Sequence, residues 1–198
     1  MKKEFLLYCL FVLSFLIIFF YTIYAKIFEY LLDSTFSILI ISFLLLFYKQ
    51  LNLNRISFSL IFVALIFHDL GIFGFYNQSP FIFPYDNLTH FLGGFSLTIL
   101  FLNYFSKFSN KNFNKYFLFL ASFLCALGVG AVIDLVDYFG FLFLGEGQGV
   151  FYFGGTGDLI NNNLGSAWIN SSIDNLFNLI GALIGIMFYF IFKKVNKL

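Results

Sequence analysis

Only two histidines occur among the 198 residues, and each stands close to carboxylates. His90 follows Asp86 by four positions, a spacing that puts both on one helical face. His68 is followed directly by Asp69. Two further pairs have helical spacing: Asp134 with Asp137, and Asp174 with Asn178. Imidazole together with several carboxylates is a donor set for a divalent ion such as zinc, manganese or magnesium. Such an ion polarises a phosphoryl or carbonyl group, or activates water. Without metal, the same groups hold a shared proton and bind a cationic or hydroxyl-rich headgroup. Asp134 and Asp137 are like charges on one face, and they call for a cation or proton between them. The expected ligands are therefore His90, Asp86, Asp134 and Asp137. Asp174, Asn178, His68, Asp69 and Asp158 are expected as further binding residues. Structural alternatives stay open: Asp86 and Asp174 suit helix starts, and His68 and Asp69 suit hydrogen-bonded packing.

Other reaction classes leave no trace. There is no His-Glu-x-x-His pair, no serine nucleophile motif and no arginine clamp for phosphate. The glycines at 145, 147, 149, 154, 155 and 157 precede Asp158 but lack the Lys-Ser/Thr of a phosphate-binding loop. Cys9 and Cys125 lie in apolar runs, where a thiol acts as a small hydrophobe.

The elements that must carry these residues follow from composition. Hydrophobic residues make up 61% of the chain, aromatics 24% and charged residues only 11%. Soluble domains carry roughly 25% charge, so a water-soluble fold is excluded. The net charge of +1 gives no support for a nucleic-acid partner. Spans of about 20 apolar residues are expected near 5–25, 30–48, 56–76, 87–105, 117–138 and 173–192. The predicted fold is all-α: a six-helix transmembrane bundle forming a single integral membrane domain over 1–198. The first segment is too long, and lacks the cleavage site, for a removed signal. It is expected to stay as a span.

Lys and Arg favour cytoplasmic segments. Lys2 and Lys3, Lys49 and Arg55, Lys107, Lys111 and Lys115, and Lys193, Lys194 and Lys197 all fall at one end of the predicted helices. Lys26 alone falls at the other. Both termini are therefore expected in the cytoplasm of a plasma-membrane protein. Most acids gather at the outer end, which topology does not require. A connection of about 35 residues, rich in glycine, is expected to cover that face between the last two helices.

The segment DNLTHFLGG (Asp86 to Gly94) is echoed by DNLFNLIGA (Asp174 to Ala182), with Gly93 matching Gly181 and His90 matching Asn178. The echo suggests two hairpins related by an axis along the membrane normal. Ser122, Ala126 and Gly130 on the fifth helix, with Gly181 and Gly185 on the sixth, let helices approach closely. They are expected to bring those two helices together.

The stretch FHDLGIFGFYN from Phe67, then YDNLTHFLGG, DLVDYFG, GGTGD and DNLFNLIGALIG, resembles the YjdF-like inner-membrane proteins and, more loosely, VanZ-like proteins. The likeness covers about 56–185, and Tyr85-Asp86-x-x-x-His90-Phe91 is its most specific part. The relatives usually carry two Glu where Asp134 and Asp137 stand, and Trp-Asp-Thr where this chain has Asn170-Ser171-Ser172. The YjdF-like resemblance implies no established activity; the VanZ-like one implies work at the outer envelope. The leading expectation is a protein that binds or processes a lipid or envelope headgroup, with a divalent metal as candidate cofactor and the bilayer as partner. A proton- or cation-coupled transporter and a non-catalytic scaffold or resistance factor are the alternatives.

Overall fold

Large apolar side chains cover the outside of this molecule, while many small and polar ones are buried within it. Leu6, Ile17, Phe20, Leu39, Leu120 and Met187 are exposed, whereas Thr22, Ser34, Ser37, Ser57, Ser96, Thr98 and Ser122 are buried. Helices that pack in lipid follow this rule, because lipid is as apolar as leucine and small residues allow close approach. The structure, a computed structural model, describes residues 2–108, 114–144 and 164–195. Among these it is helical throughout, with no strand.

Six α-helices follow one another: α1 (Lys2–Ala25), α2 (Leu31–Leu46), α3 (Arg55–Asp69), α4 (Tyr85–Ser106), α5 (Lys115–Leu144) and α6 (Leu164–Val195). One 3-10 turn, Phe28–Tyr30, leads into α2 and another, Leu70–Phe73, extends α3. Five helices are long and apolar enough to cross a membrane. One of these is α3 with its 3-10 extension, Arg55–Phe73; the remaining helix, α2, has 16 residues and a length of about 24 Å. The start of α3 is set by a capping box: Ser57 N donates to Asn54 Oδ1 and Asn54 N donates to Ser57 Oγ. Its end comes at Gly74, whose φ of 84° is open to glycine at no steric cost.

The central helix is α4, packed against α3, α5 and α6. Its closest partner is α6. A Cβ on Gly94 would strike the Asn178 carbonyl, and one on Gly181 would strike the Phe91 carbonyl. Gly185 likewise faces the backbone of Phe95. The α6 glycines thus serve α4, which corrects the expectation that they pack against α5. The α5 contribution is Gly130, where a Cβ would come 2.8 Å from Asn178 Nδ2. On the other side, α1, α2, α3 and α4 share an apolar core of Phe11, Phe15, Ile41, Leu44, Phe58, Ile61 and Leu100.

Helix limits differ most around the expected long connection. The fifth helix runs on to Leu144 and the sixth begins at Leu164, nine residues before the expected start. What separates them is residues 145–163, outside the described residues. The polar run Asn170-Ser171-Ser172 looks like a helix boundary in sequence. In the fold it lies inside α6, where the Asn170 amide serves the buried Asp174 carboxylate.

Candidate metal centre

Three helices converge on His90. It lies in the second turn of α4, and its Nε2 is 3.4 Å from Asp86 Oδ1, one turn earlier. Asp174 on α6 brings Oδ1 to 3.7 Å from the same Nε2. On the other edge of the ring, Asp134 Oδ1 of α5 is 3.8 Å from Nδ1, and Asn178 Nδ2 is 3.3 Å from it. Glycine makes the convergence possible, since only bare backbone at Gly94, Gly130 and Gly181 lets α4 and α5 close on α6 around Asn178.

Two asparagines of α6 orient the acids. Asn170 Nδ2 donates to Asp174 Oδ2 at 2.8 Å, and Asn175 Nδ2 donates to Asp134 Oδ2 at 2.7 Å. Each carboxylate thus has one oxygen fixed and the other turned to the imidazole. Those inward oxygens, Asp134 Oδ1 and Asp174 Oδ1, are buried and accept no hydrogen bond from the described residues. Buried acceptors of this kind are costly unless something fills the gap. Asp86, His90 and Asp174 present ligand atoms all within 4.8 Å of one another. Bonds of about 2.1 Å to a tetrahedral ion set neighbouring ligands about 3.4 Å apart, close to the two Nε2 distances. Asp86, His90 and Asp174 are thus spaced as a group that could hold a metal ion on the Nε2 side of the ring.

A family model described as "Predicted membrane protein (DUF2238)" matches residues 5–194. The chain belongs to this family. It is accordingly a multi-pass membrane protein whose apolar helices contact the bilayer. The DUF2238 match takes in every residue of the site just described. No curated protein and no solved structure matches the chain.

In this DUF2238 chain the sequence-derived residues separate into groups. Asp86, His90, Asp134, Asp174 and Asn178 come together. The helix-start alternative fails for Asp174, which lies ten residues into α6, and its side chain faces His90. Asp86 does sit in the first turn of α4, yet no side chain caps that helix. The Asp137 side chain and Asp158 lie outside the described residues.

His68 and Asp69 belong to a neighbouring cluster. His68 Nε2 is 3.8 Å from Asp33 Oδ2 of α2, and Ser37 Oγ donates to Asp69 Oδ1 at 3.1 Å. The Tyr76 hydroxyl lies 2.6 Å from His68 Nδ1. Burial holds the Tyr76 phenol well above its ordinary range, and the Asp86 carboxylate adds to this, so the phenol stays neutral. Gly71 lets the Tyr76 ring lie flat on the backbone there, where a Cβ would collide with it. The Tyr76 phenol also feels the charge of Asp86 on α4, so it lies between the two clusters electrostatically.

Sequence reasoning missed Asp33, Ser37, Tyr76, Asn170 and Asn175. Asn170 precedes Asp174 by four residues, a helical signal that was hidden because α6 was expected to start later. Asp33 and Ser37 have the same spacing on α2.

Proposed function

We propose that the α4–α5–α6 cluster is a divalent-metal site that binds, and serves to process, an anionic headgroup of a lipid or envelope component. The observation that carries this is the pair of inward oxygens on Asp134 and Asp174, turned to His90 by asparagines and without a hydrogen-bond partner among the described residues. Three carboxylates around one imidazole leave negative charge that a divalent cation would balance. Asp86, Asp174 and His90 Nε2 are the ligands in this reading. Asp134 takes the place behind the metal: 3.8 Å from Nδ1, its negative charge would raise the basicity of the imidazole. The roles first expected for Asp134 and Asp174 are thereby exchanged.

The metal also answers a charge problem. At the end of the bundle that holds the site, Lys26 is the single basic residue in the sequence pattern. An anionic phosphate would find little to hold it there without a cation. Fixed on the ion, it would be polarised for attack at phosphorus or simply retained. The distribution of basic residues supports this end lying outside the cytoplasm by the positive-inside rule, and a plasma membrane fits the resemblance to YjdF-like proteins.

Metal analysis of the purified protein tests the reading. About one zinc, manganese or magnesium ion per chain is expected in wild type, with loss in His90→Ala and Asp174→Asn. Equal, near-zero metal in all three would defeat it. Proton- or cation-coupled transport is the second reading, favoured by Tyr76, which links the site to the Asp33, His68 and Asp69 cluster. Proton flux in proteoliposomes that vanishes in Tyr76→Phe would select it.

A further inference from the structure

The segment that delivers Asp86 to the site ends in an exposed apolar tip. From Leu70 to Tyr85 there is no charged residue. Ile82 at the tip is fully exposed, and Phe81 and Phe83 on either side are about half exposed. Such a tip is usually blunted by polar residues, but here it is held in shape. Ser79 Oγ donates to the Phe83 carbonyl at 2.7 Å, and Phe81 N donates to Ser79 Oγ at 3.1 Å. Pro80 and Pro84 fix φ on both sides. The Phe81 ring stacks on Phe83 with an interplanar angle of 10° and on Tyr85 with one of 4°. Tyr85 itself is buried, its hydroxyl donating to the Phe67 carbonyl of α3.

A built apolar tip between two membrane-crossing helices has one natural surrounding. It joins two segments long and apolar enough to cross a membrane, Arg55–Phe73 and Tyr85–Ser106, and exposed apolar side chains gain by leaving water for lipid. The last residue of the aromatic stack, Tyr85, adjoins Asp86 in sequence, so acyl chains lying on the tip would bring their headgroup to the metal ligands.

We propose that residues 79–83 insert into the leaflet beside the site, and that the anionic ligand is the headgroup of a lipid whose chains rest on Phe81, Ile82 and Phe83. The lipid source rests on the metal reading above; insertion of the tip does not. The ligand enters sideways from the leaflet, and a soluble phosphate ester lacks the part that the tip holds.

The full chain in liposomes allows a direct test. Ile82→Trp, in a Trp168→Phe background, gives one reporter ring at the tip. Its fluorescence is expected to be strongly quenched by phosphatidylcholine brominated on the acyl chains and little affected by aqueous acrylamide. The reverse pattern overturns insertion. The same protein, loaded with metal, is then titrated with short-chain phosphatidic acid and with glycerol 3-phosphate. Wild type is expected to prefer the lipid by about tenfold or more, since each buried methylene adds to affinity. Ile82→Asp is expected to lose that preference while its metal content is unchanged. Equal affinity of wild type for both probes overturns the lipid source. A lack of bound metal would instead overturn the metal reading, and the quenching result would still decide insertion.

Discussion

At the scale of single residues, the two nitrogens of His90 face different chemistry. Nε2 looks at Asp86 and Asp174, and Nδ1 looks at Asp134 and Asn178. The asymmetry makes substitutions of two similar aspartates differ in outcome. Asp174→Asn removes a ligand, and metal affinity is expected to fall by well over about 100-fold. On the metal reading, Asp134→Asn keeps every ligand but loses the negative charge behind the ring, and the expected loss is only about 10–100-fold. Titration of the two purified variants with zinc or manganese separates them, and equal losses would place both acids on the ion. Asn175→Ala should resemble Asp134→Asn, because it frees the carboxylate that Asn175 holds. Much of this site was legible in the sequence. Spacing of four showed Asp86 with His90, and the repeated DNL segment marked Asp174 with Asn178. Which nitrogen meets which acid was not legible, because it depends on the rotation of α5 and α6 about their own axes.

At the scale of elements, the decisive contact is the crossing of α4 and α6. Glycine spacing announced close packing, but a small-residue row does not say which neighbour fills it. The intimate pair proved to be α4 and α6, with Asn178 standing between their backbones and Gly130 of α5. Gly181→Ala must push the Phe91 carbonyl away, and overpacking of this kind costs about 1–3 kcal/mol. A lower unfolding midpoint together with weaker metal binding is the expected result. Gly128→Ala is the internal control, since nothing lies within 4 Å of the Cβ it would add. Its helix propensity should leave stability equal or raised by up to about 1 kcal/mol. Equal destabilisation by both substitutions would mean that the crossing is looser than described. Elsewhere the elements were legible from hydrophobic runs alone. They failed at the start of α6, where polar residues that normally end a membrane helix are instead turned to buried carboxylates. At the start of α3 a local rule suffices: Asn54→Ala removes a capping box and should cost about 1 kcal/mol in the same unfolding assay.

At the scale of the whole molecule, the question is whether six helices cross or five, and α2 decides it. By length alone α2 is short for a hydrocarbon core of about 30 Å. Its ends are nevertheless tied to opposite ends of the bundle. Near its start, Ser37 bonds Asp69 at the end of α3, on the level of the site. Past its end, Asn52 Nδ2 donates to the Asn103 carbonyl at 2.8 Å and lies 3.3 Å from Ser106 Oγ, at the far end of α4. The stretch from Asp33 to Asn52 thus travels as far as α4 does, and α2 packs beside α1 and α3, both of crossing length. Six crossings put the two termini on one side, and five would put them on opposite sides. The basic residues make the same choice, because Lys2, Lys49, Lys107 and Lys193 then share a side. Reporter fusions after Lys197 and within 77–79 test it in cells. A phosphatase reporter should be active only at 77–79, and a fluorescent reporter that folds only in the cytoplasm should be bright only after Lys197. With the N-terminus in the cytoplasm, the reverse pattern at the two positions would mean that α2 does not cross. It would return α2 to one leaflet and leave the carboxylate cluster on the same side as the N-terminus.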